Sequence, residues 1–284
     1  MVKFMKGALL AGVATFALST VASAQGVLTD AEFKCQTSVS KAGSKFVGSK
    51  SKCAGKCIAN AQKSLNPYAD CYAPYGGTTA TCIADPLKGA EAKFEGAIRK
   101  ACDPSFKPGT DCPECYSGGD CTTEAADRVQ NVEGQVDDFG PGVFCEQPGA
   151  DKLETGCEQN TAKTLAKLVA TINKCYDKCN ANMRKGTIPP GSCNAPSPSD
   201  AATTACLSDP LKGAQAKAIA GVNKKCRAVG ETTKGANDGT TAVPDCTTPN
   251  DYPDGSAWVN LVTLAISGNV PGTYCSSPSG AFIQ

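Results

Sequence analysis

The 284-residue chain contains no histidine, and this absence excludes several kinds of site at once. Ser-His-Asp and Cys-His catalysis both need an imidazole, as do His-ligated zinc sites and the attachment motif of c-type haem. The sequence also lacks a phosphate-binding loop, a dinucleotide-binding glycine motif, an EF-hand loop and a nucleophile elbow. We therefore expect a protein that is not an enzyme and that binds no cofactor and no metal ion.

Large apolar side chains and long apolar runs are scarce as well. Aromatic residues make up 6% of the chain, and Trp258, the single tryptophan, is expected to be a packing residue. After the N-terminal segment no run of 18 residues is continuously apolar, so we expect no membrane span. Segments this poor in large apolar side chains need cross-links to be stable, and the chain contains 18 cysteines.

The N-terminus has the pattern of a secretory signal. Lys3 and Lys6 precede an apolar run over residues 7–21, and small residues follow at 22–24. This pattern predicts a signal peptide over residues 1–24, cleaved after Ala24, and a secreted or periplasmic protein. Without Lys3 and Lys6, 26 basic residues face 27 acidic ones. That balance argues against nucleic acid as a partner, because nucleic-acid binders carry a clear basic excess.

One motif recurs and divides the chain into two parts. Cys-Ile-Ala-Asp-Pro-Leu-Lys-Gly-Ala at 82–90 returns as Cys-Leu-Ser-Asp-Pro-Leu-Lys-Gly-Ala at 206–214. Eight cysteines on each side match in order, at an offset that grows from 122 to 130, and only Cys112 and Cys115 lack counterparts. We interpret this as a tandem duplication, with cysteine-rich helical domains at 25–148 and 149–284.

Each copy is predicted to be all-α, with a long antiparallel helical hairpin and a shorter third helix. The first helix begins at a capping box, Thr29-x-x-Glu32, and extends to about Leu65; its counterpart extends to about Arg184. The third helices are expected over residues 122–138 and 255–267, where apolar residues recur on one face. The fold class is thus two homologous disulfide-stapled helical domains in tandem.

The repeated motif itself predicts the start of the second helix in each hairpin. Asp85 and Asp209 are suitable N-caps, and each is followed by a proline that fits the first helical position. Leu87 and Leu211 are expected to pack against the hairpin. The second helices are then expected to continue to Cys102 and Cys226.

An even number of cysteines in a secreted chain predicts a disulfide framework. In an antiparallel hairpin, contacting residues have a nearly constant sum of residue numbers, and this rule selects the bridges between the two long helices. The remaining cysteines are paired with near neighbours in the sequence. The predicted bridges are Cys35–Cys102, Cys53–Cys82, Cys57–Cys71, Cys112–Cys115, Cys121–Cys145, Cys157–Cys226, Cys175–Cys206, Cys179–Cys193 and Cys246–Cys275.

A lysine stripe on the first helix of each copy is the main candidate for function. Its members project within a 60° sector of the helix and recur at an offset of 122. The stripe consists of Lys41, Lys45, Lys52, Lys56, Lys163, Lys167, Lys174 and Lys178. We expect a non-catalytic cell-surface, matrix or binding protein whose two repeated faces bind an anionic polysaccharide or cell-surface polymer bivalently. The alternative reading is that these lysines only keep two recently duplicated copies soluble.

Two other functions stay open. Cys112-Pro113-Glu114-Cys115 has the spacing of a thiol–disulfide redox site. Asp111 and Glu114 would raise the pKa of its thiols, however, and the flanking loops favour a small structural disulfide. The protein could also be the structural subunit of an extracellular assembly, with itself as partner.

Overall fold

A computed structural model describes residues 28–144, 152–226 and 254–275. The predicted signal peptide, Cys145 and Cys246 lie outside these ranges. The described residues form eight helices and two short 3-10 turns and contain no β-strand, which confirms the all-helical prediction for this part of the chain. The helices are α1 (Asp30–Ala61), α2 (Gly77–Ala84), α3 (Ala90–Cys102), α4 (Cys121–Val143), α5 (Lys152–Arg184), α6 (Ala201–Ser208), α7 (Ala214–Asn223) and α8 (Ser256–Tyr274).

The two longest helices begin and end close to where the sequence predicts. At the start of α1, Glu32 N donates to Thr29 Oγ1 (3.1 Å) and Thr29 N donates to Glu32 Oε2 (2.6 Å), which completes the predicted capping box. The helix ends at Ala61, four residues before Leu65. α5 ends at Arg184, as predicted. None of the helices in the described ranges is long and apolar enough to cross a membrane.

The repeated motif joins two short helices and does not start one long helix. Asp85 Oδ1 accepts the N–H groups of Leu87 (2.9 Å) and Lys88 (2.7 Å), in the manner of an N-cap. The chain then turns sharply, since Gly89 N donates to the carbonyl oxygen of Asp85 (2.9 Å). A Cβ atom on Gly89 would lie 2.5 Å from the carbonyl oxygen of Ile83, so this close turn requires glycine. The predicted start of the second helix at Pro86 is therefore wrong, since α3 begins at Ala90, although α3 ends at Cys102 as predicted.

The corresponding turn in the second half is built in the same way. Asp209 Oδ1 accepts the N–H groups of Leu211 (2.9 Å) and Lys212 (2.7 Å), and a Cβ atom on Gly213 would lie 2.5 Å from Asp209 N. Leu211 is 82% exposed and Leu87 is 84% exposed. The expectation that these leucines pack against the hairpin is also wrong, because the turn directs them into solvent.

The third helix of each half is longer than predicted. α4 continues through Pro141 to Val143, and α8 continues through Pro271 to Tyr274. The predicted third helices end at Asp138 and Ser267, before these prolines. Each proline lies in the last turn, so the hydrogen bond that it removes is one of the last in its helix.

The helices are arranged around an antiparallel pair, α1 and α5. Arg184 at the end of α5 donates to Asp30 at the start of α1 (2.5 Å), and Asn173 Nδ2 donates to Ser44 Oγ (2.9 Å) near the middle of both helices. α3 packs against α1, α7 packs against α5, and α4 and α8 also pack on this central pair. One core cluster includes Ile58 of α1 and Ile172 of α5, so it crosses the boundary predicted near residue 148.

Six of the predicted disulfides are present in the structure. Three of them join α1 to residues between its end and Cys102, and three join α5 to residues between its end and Cys226. Their Cα–Cα distances are 4.6 to 6.0 Å. These bridges are Cys35–Cys102, Cys53–Cys82, Cys57–Cys71, Cys157–Cys226, Cys175–Cys206 and Cys179–Cys193. The rule for antiparallel hairpins therefore selects the correct partners, even though the second helix of each hairpin begins four residues later than predicted.

The bridges predicted between near neighbours differ from those in the structure. Cys112 is bonded to Cys121 and Cys115 is bonded to Cys275, in place of Cys112–Cys115, Cys121–Cys145 and Cys246–Cys275. The loop before α4 folds back so that Cys112 lies beside the first residue of that helix. Cys115 lies within a turn that is closed by a hydrogen bond from Tyr116 N to the carbonyl oxygen of Pro113 (2.9 Å). Its bond to Cys275 joins this turn to the residue that follows α8.

Around Cys115–Cys275 a group of contacts joins the two halves. We call Cys115, Tyr116, Arg128, Thr273 and Cys275 the clasp. The buried Tyr116 hydroxyl donates to the carbonyl oxygen of Thr273. Arg128 donates to Thr273 Oγ1 (3.1 Å), and its guanidinium lies 5.2 Å from the centre of the Tyr116 ring.

A second contact between the halves comes from the predicted packing residue. Trp258 is 4% exposed, and its ring meets Phe139 of α4 edge to face with 6.2 Å between ring centres. Such an arrangement is favourable for aromatic pairs. The expectation that Trp258 is a packing residue is confirmed.

Candidate functional site

The antiparallel packing of α1 and α5 brings lysines from both halves to one groove. The groove has a volume of about 660 Å³, and its rims carry Lys52 and Lys56 from α1 and Lys163 and Lys167 from α5. All four side chains are exposed. Its floor is made of small residues: Gly48, Ser51, Gly55, Ala59, Ala162, Ala166 and Ala170. The sequence predicts the lysines, but only the structure unites them in a single groove.

The floor of small residues has a direct physical consequence. Because only Gln159 and Phe144 add larger uncharged side chains to the lining, an extended molecule can approach the helix backbones closely. Phe144 closes the groove beneath Gly55, since a Cβ atom on that glycine would lie 3.5 Å from the phenyl ring. The result is a groove with a floor of mostly small residues and with cationic edges.

Nothing acidic in the described part of the chain neutralises the groove. No carboxylate there lies within 4 Å of the four lysine amines, whereas Lys50, Arg99, Arg128 and Arg184 all form ion pairs. From Phe33 to Ala61, α1 contains no acidic residue. The four amines are therefore available to a negatively charged ligand from outside the protein.

The other four lysines of the stripe extend the same face. Lys41 and Lys45 lie on the groove side of α1, about 16 Å towards its N-terminus, and all four are exposed. Lys174 and Lys178 accompany them on α5, because the two helices are antiparallel. This end of the face is less strongly cationic. Burial raises the pKa of the half-buried Asp177. The ammonium group of Lys41 is close enough to oppose this shift, which places an acidic side chain beside the lysines at this end.

A cluster of charged side chains between α1 and α4 is the second feature of interest. Lys50 has no solvent-exposed surface, and its amine lies 2.5 Å from Glu133 Oε1 and 2.7 Å from Asp137 Oδ1. Tyr75 donates to Asp137 Oδ1 (2.5 Å). Burial, with the Glu133 carboxylate next in importance, raises the pKa of Glu91. The sequence argument missed this cluster because Lys50 lies outside the stripe and its partners are more than 80 residues away.

The second half has no such cluster at the corresponding positions. Lys50 corresponds to Ile172, which is buried in the core, while Glu133 and Asp137 correspond to Thr263 and Ser267. α5 and α8 thus pack against each other without such charges. We interpret the cluster as a set of ion pairs that links α1 to α4 in the first half only.

Cysteine chemistry offers no reactive site among the described residues. The sulfur atoms of Cys35, Cys102 and Cys121 lie within 4.8 Å of one another, the spacing of a metal-ligand group. All three belong to disulfides, however, so none is a thiolate ligand. Cys112 and Cys115 are bonded to different partners, so the redox site that their spacing suggests is not formed.

Comparison of the chain with protein-family models, with curated proteins and with solved structures finds no match.

Proposed function

We propose that this protein is a secreted, non-catalytic binding protein that holds an anionic polysaccharide or a similar cell-surface polyanion in the α1/α5 groove. The observation that carries the proposal is the set of four exposed lysine amines around the groove, none of them paired with a carboxylate of the described residues. A polymer suits the site better than a small anion, because the eight lysines of the stripe extend over about 22 Å of helix.

The proposal includes a duplicated architecture. In its support, α5 to α8 follow the same order as α1 to α4, and three disulfides of the first half recur at matching cysteines of the second. The sequence argument expected two separate lysine faces and a bivalent interaction. We now propose one composite groove, in which each half contributes one rim and the ligand spans both.

Secretion, with cleavage after Ala24, is also part of the proposal. Eight disulfides among the described residues fit an oxidising, extracellular environment. An anionic polymer of a cell envelope or matrix would be accessible there. Its many weak ionic contacts would bind it with an affinity that falls as salt is added, since exposed charges are screened.

The test is retention of the folded protein on two immobilised polymers, polygalacturonate (carboxylate groups) and dextran sulfate (sulfate groups), over a gradient of sodium chloride. We expect elution at a defined salt concentration, and elution at clearly lower salt when Lys52, Lys56, Lys163 and Lys167 are all replaced by glutamine. The two polymers distinguish a preference for carboxylate from one for sulfate.

A matched control removes the same charge elsewhere. Lys93, Lys100, Lys217 and Lys224 are exposed lysines of α3, α7 and the residue after α7, and none lines the groove. Replacing these four by glutamine gives the same net charge as the groove variant. Equal loss of retention in both variants would show that net charge, and not the groove, governs binding.

A further inference from the structure

A second cavity lies between α4 and α8 and shares no lining residue with the lysine groove. Its volume is about 410 Å³, within the range of roughly 300–1,000 Å³ that is usual for sites of small molecules. α1, α3 and α5 form its base, so both halves of the chain contribute to it. The cavity can therefore be examined independently of the groove.

The base of this cavity is apolar. It is formed by the side chains of Val39, Phe94 and Val169, all of which are buried in the core. A ligand with one apolar face would cover this surface and displace water from it.

Polar groups with unused hydrogen-bonding capacity surround that base. Asn131 makes no side-chain hydrogen bond within the described part of the chain, and Asn173 uses only its Nδ2 group, towards Ser44. Amide groups both donate and accept, so this pair fits a ligand that does the same.

One wall of the cavity is fixed in place by paired amides. Gln135 Nε2 donates to Asn269 Oδ1 (3.3 Å), and Asn269 Nδ2 donates to Gln135 Oε1 (2.8 Å). This reciprocal pair of hydrogen bonds fixes the distance between α4 and α8 where both helices line the cavity. The remaining polar groups are thus presented by a preformed site, which lowers the entropic cost of binding.

The charges in the cavity do not favour an anion. No lysine lines it. The Arg128 guanidinium already donates to Glu124 Oε1 (2.6 Å) and to Thr273 Oγ1 (3.1 Å). Asp127 is the one lining carboxylate that is without an ion pair among the described residues. The ligand class differs from that of the groove for this reason.

From these contacts we infer that the α4/α8 cavity binds an uncharged sugar of one or two pyranose rings. A pyranose ring has a C–H face, which would lie on the apolar base. Its hydroxyl groups would exchange hydrogen bonds with Asn131 and Asn173. This inference does not depend on the proposed function, since the groove and the cavity have different residues and different ligands.

The experiment is saturation-transfer NMR and calorimetric titration of the full secreted chain with glucose, galactose, N-acetylglucosamine and cellobiose. Glucuronate serves as the charged counterpart and ethanolamine as a cationic probe. We expect saturable binding of at least one uncharged sugar, weaker binding of glucuronate, and an affinity loss of about tenfold or more when Asn131 and Asn173 are both replaced by alanine.

Two further variants keep the result interpretable. Gln130→Ala changes the exposed residue next to Asn131 without touching the cavity and should leave sugar binding unchanged. Gly268→Leu places a side chain at the cavity wall, where a Cβ atom meets nothing within 4 Å, and should abolish binding without unfolding the protein.

Absence of saturable binding by all four sugars would overturn the inference, as would binding that survives Gly268→Leu. Binding of ethanolamine alone would overturn it too, because Asp127 would then govern the site. The groove variant with four glutamines should bind sugar normally. Failure of polymer retention and failure of sugar binding are therefore separate results.

Discussion

Cys115, in the loop before α4, is bonded to Cys275 at the end of α8, 160 residues further along the chain. This bridge gives a use to one of the two cysteines that have no counterpart in the repeat. Tyr116 and Arg128 bind Thr273 beside it, so a covalent bond and polar contacts act at the same place. The two halves are thereby held together at the clasp as well as through their shared core.

The disulfide assignment is the first testable result. Peptide mapping under non-reducing conditions should recover Cys112 linked to Cys121 and Cys115 linked to Cys275. Replacing both Cys115 and Cys275 by serine should lower the free energy of unfolding by at most about 5 kcal/mol, and by less to the extent that other bridges shorten the loop. Recovery of a Cys112–Cys115 peptide would contradict the structure.

Removing the buried ammonium of Lys50 should be costly. Lys50→Ala leaves Glu133 and Asp137 close together without their cation, and we expect the free energy of unfolding in urea to fall by roughly 3–5 kcal/mol. The loss arises because the two carboxylates stay partly buried, with exposed fractions of 25% and 20%.

The second half supplies the matched control for this change. Introducing its residues together, as Lys50→Ile, Glu133→Thr and Asp137→Ser, should recover most of the lost stability, since hydrophobic replacement of a buried ion pair is often neutral. A triple variant as unstable as Lys50→Ala would mean that the charges stabilise the first half in a way that apolar packing cannot replace.

The glycine of the repeated turn should tolerate no side chain. Gly89→Ala would place Cβ 2.5 Å from one carbonyl oxygen and 2.6 Å from another, so we expect a loss of about 1–3 kcal/mol in thermal or urea unfolding. Gly96→Ala, in α3 with nothing within 4 Å of its Cβ, should instead raise stability by roughly 0.5–1 kcal/mol. Equal effects at both positions would be inconsistent with this turn geometry.

Alkaline pH should destabilise the fold through its tyrosines. Burial raises the pKa of Tyr75, Tyr116, Tyr176 and Tyr274 above the ordinary value of 10. Because the folded-state pKa exceeds the unfolded one, their contribution is complete below about pH 10 and is lost as the pH rises further.

Absorbance of the phenolate and urea unfolding between pH 9 and pH 12 would together test this expectation. Four of the seven tyrosines should ionise only late or with unfolding. Tyr116→Phe should reduce the pH dependence, although it also removes the hydrogen bond to Thr273. Titration of all seven near pH 10 in a folded protein would contradict the burial described here.

The parts of the fold that depend on local sequence could be predicted. Helix limits follow from caps and periodicity, as at Thr29 and Arg184, and hairpin bridges such as Cys35–Cys102 follow from antiparallel geometry. The start of α3 at Ala90 could not be predicted in this way. Asp85 and Pro86 are typical of a helix start, and only the close backbone approach reveals that a second helix begins after the glycine.

Features that depend on how the halves meet could not be predicted. The rule for hairpin partners says nothing about contacts such as Cys115 with Cys275, because these cysteines lie in different halves of the chain. The lysines of the groove could be found by periodicity, but their juxtaposition depends on α1 packing against α5. The charged cluster at Lys50 and the cavity at Asn131 likewise involve helices far apart in sequence.

The antiparallel arrangement of α1 and α5 has a consequence for any linear ligand in the groove. Lys52 and Lys56 on one rim correspond in sequence to Lys174 and Lys178, while Lys163 and Lys167 on the other rim correspond to Lys41 and Lys45. A chain that lies along all eight lysines therefore meets lysines at corresponding positions from either direction. The lysine positions by themselves would not discriminate the reducing end of a polysaccharide from the non-reducing end, and the face could bind the interior of a polymer without needing a terminus.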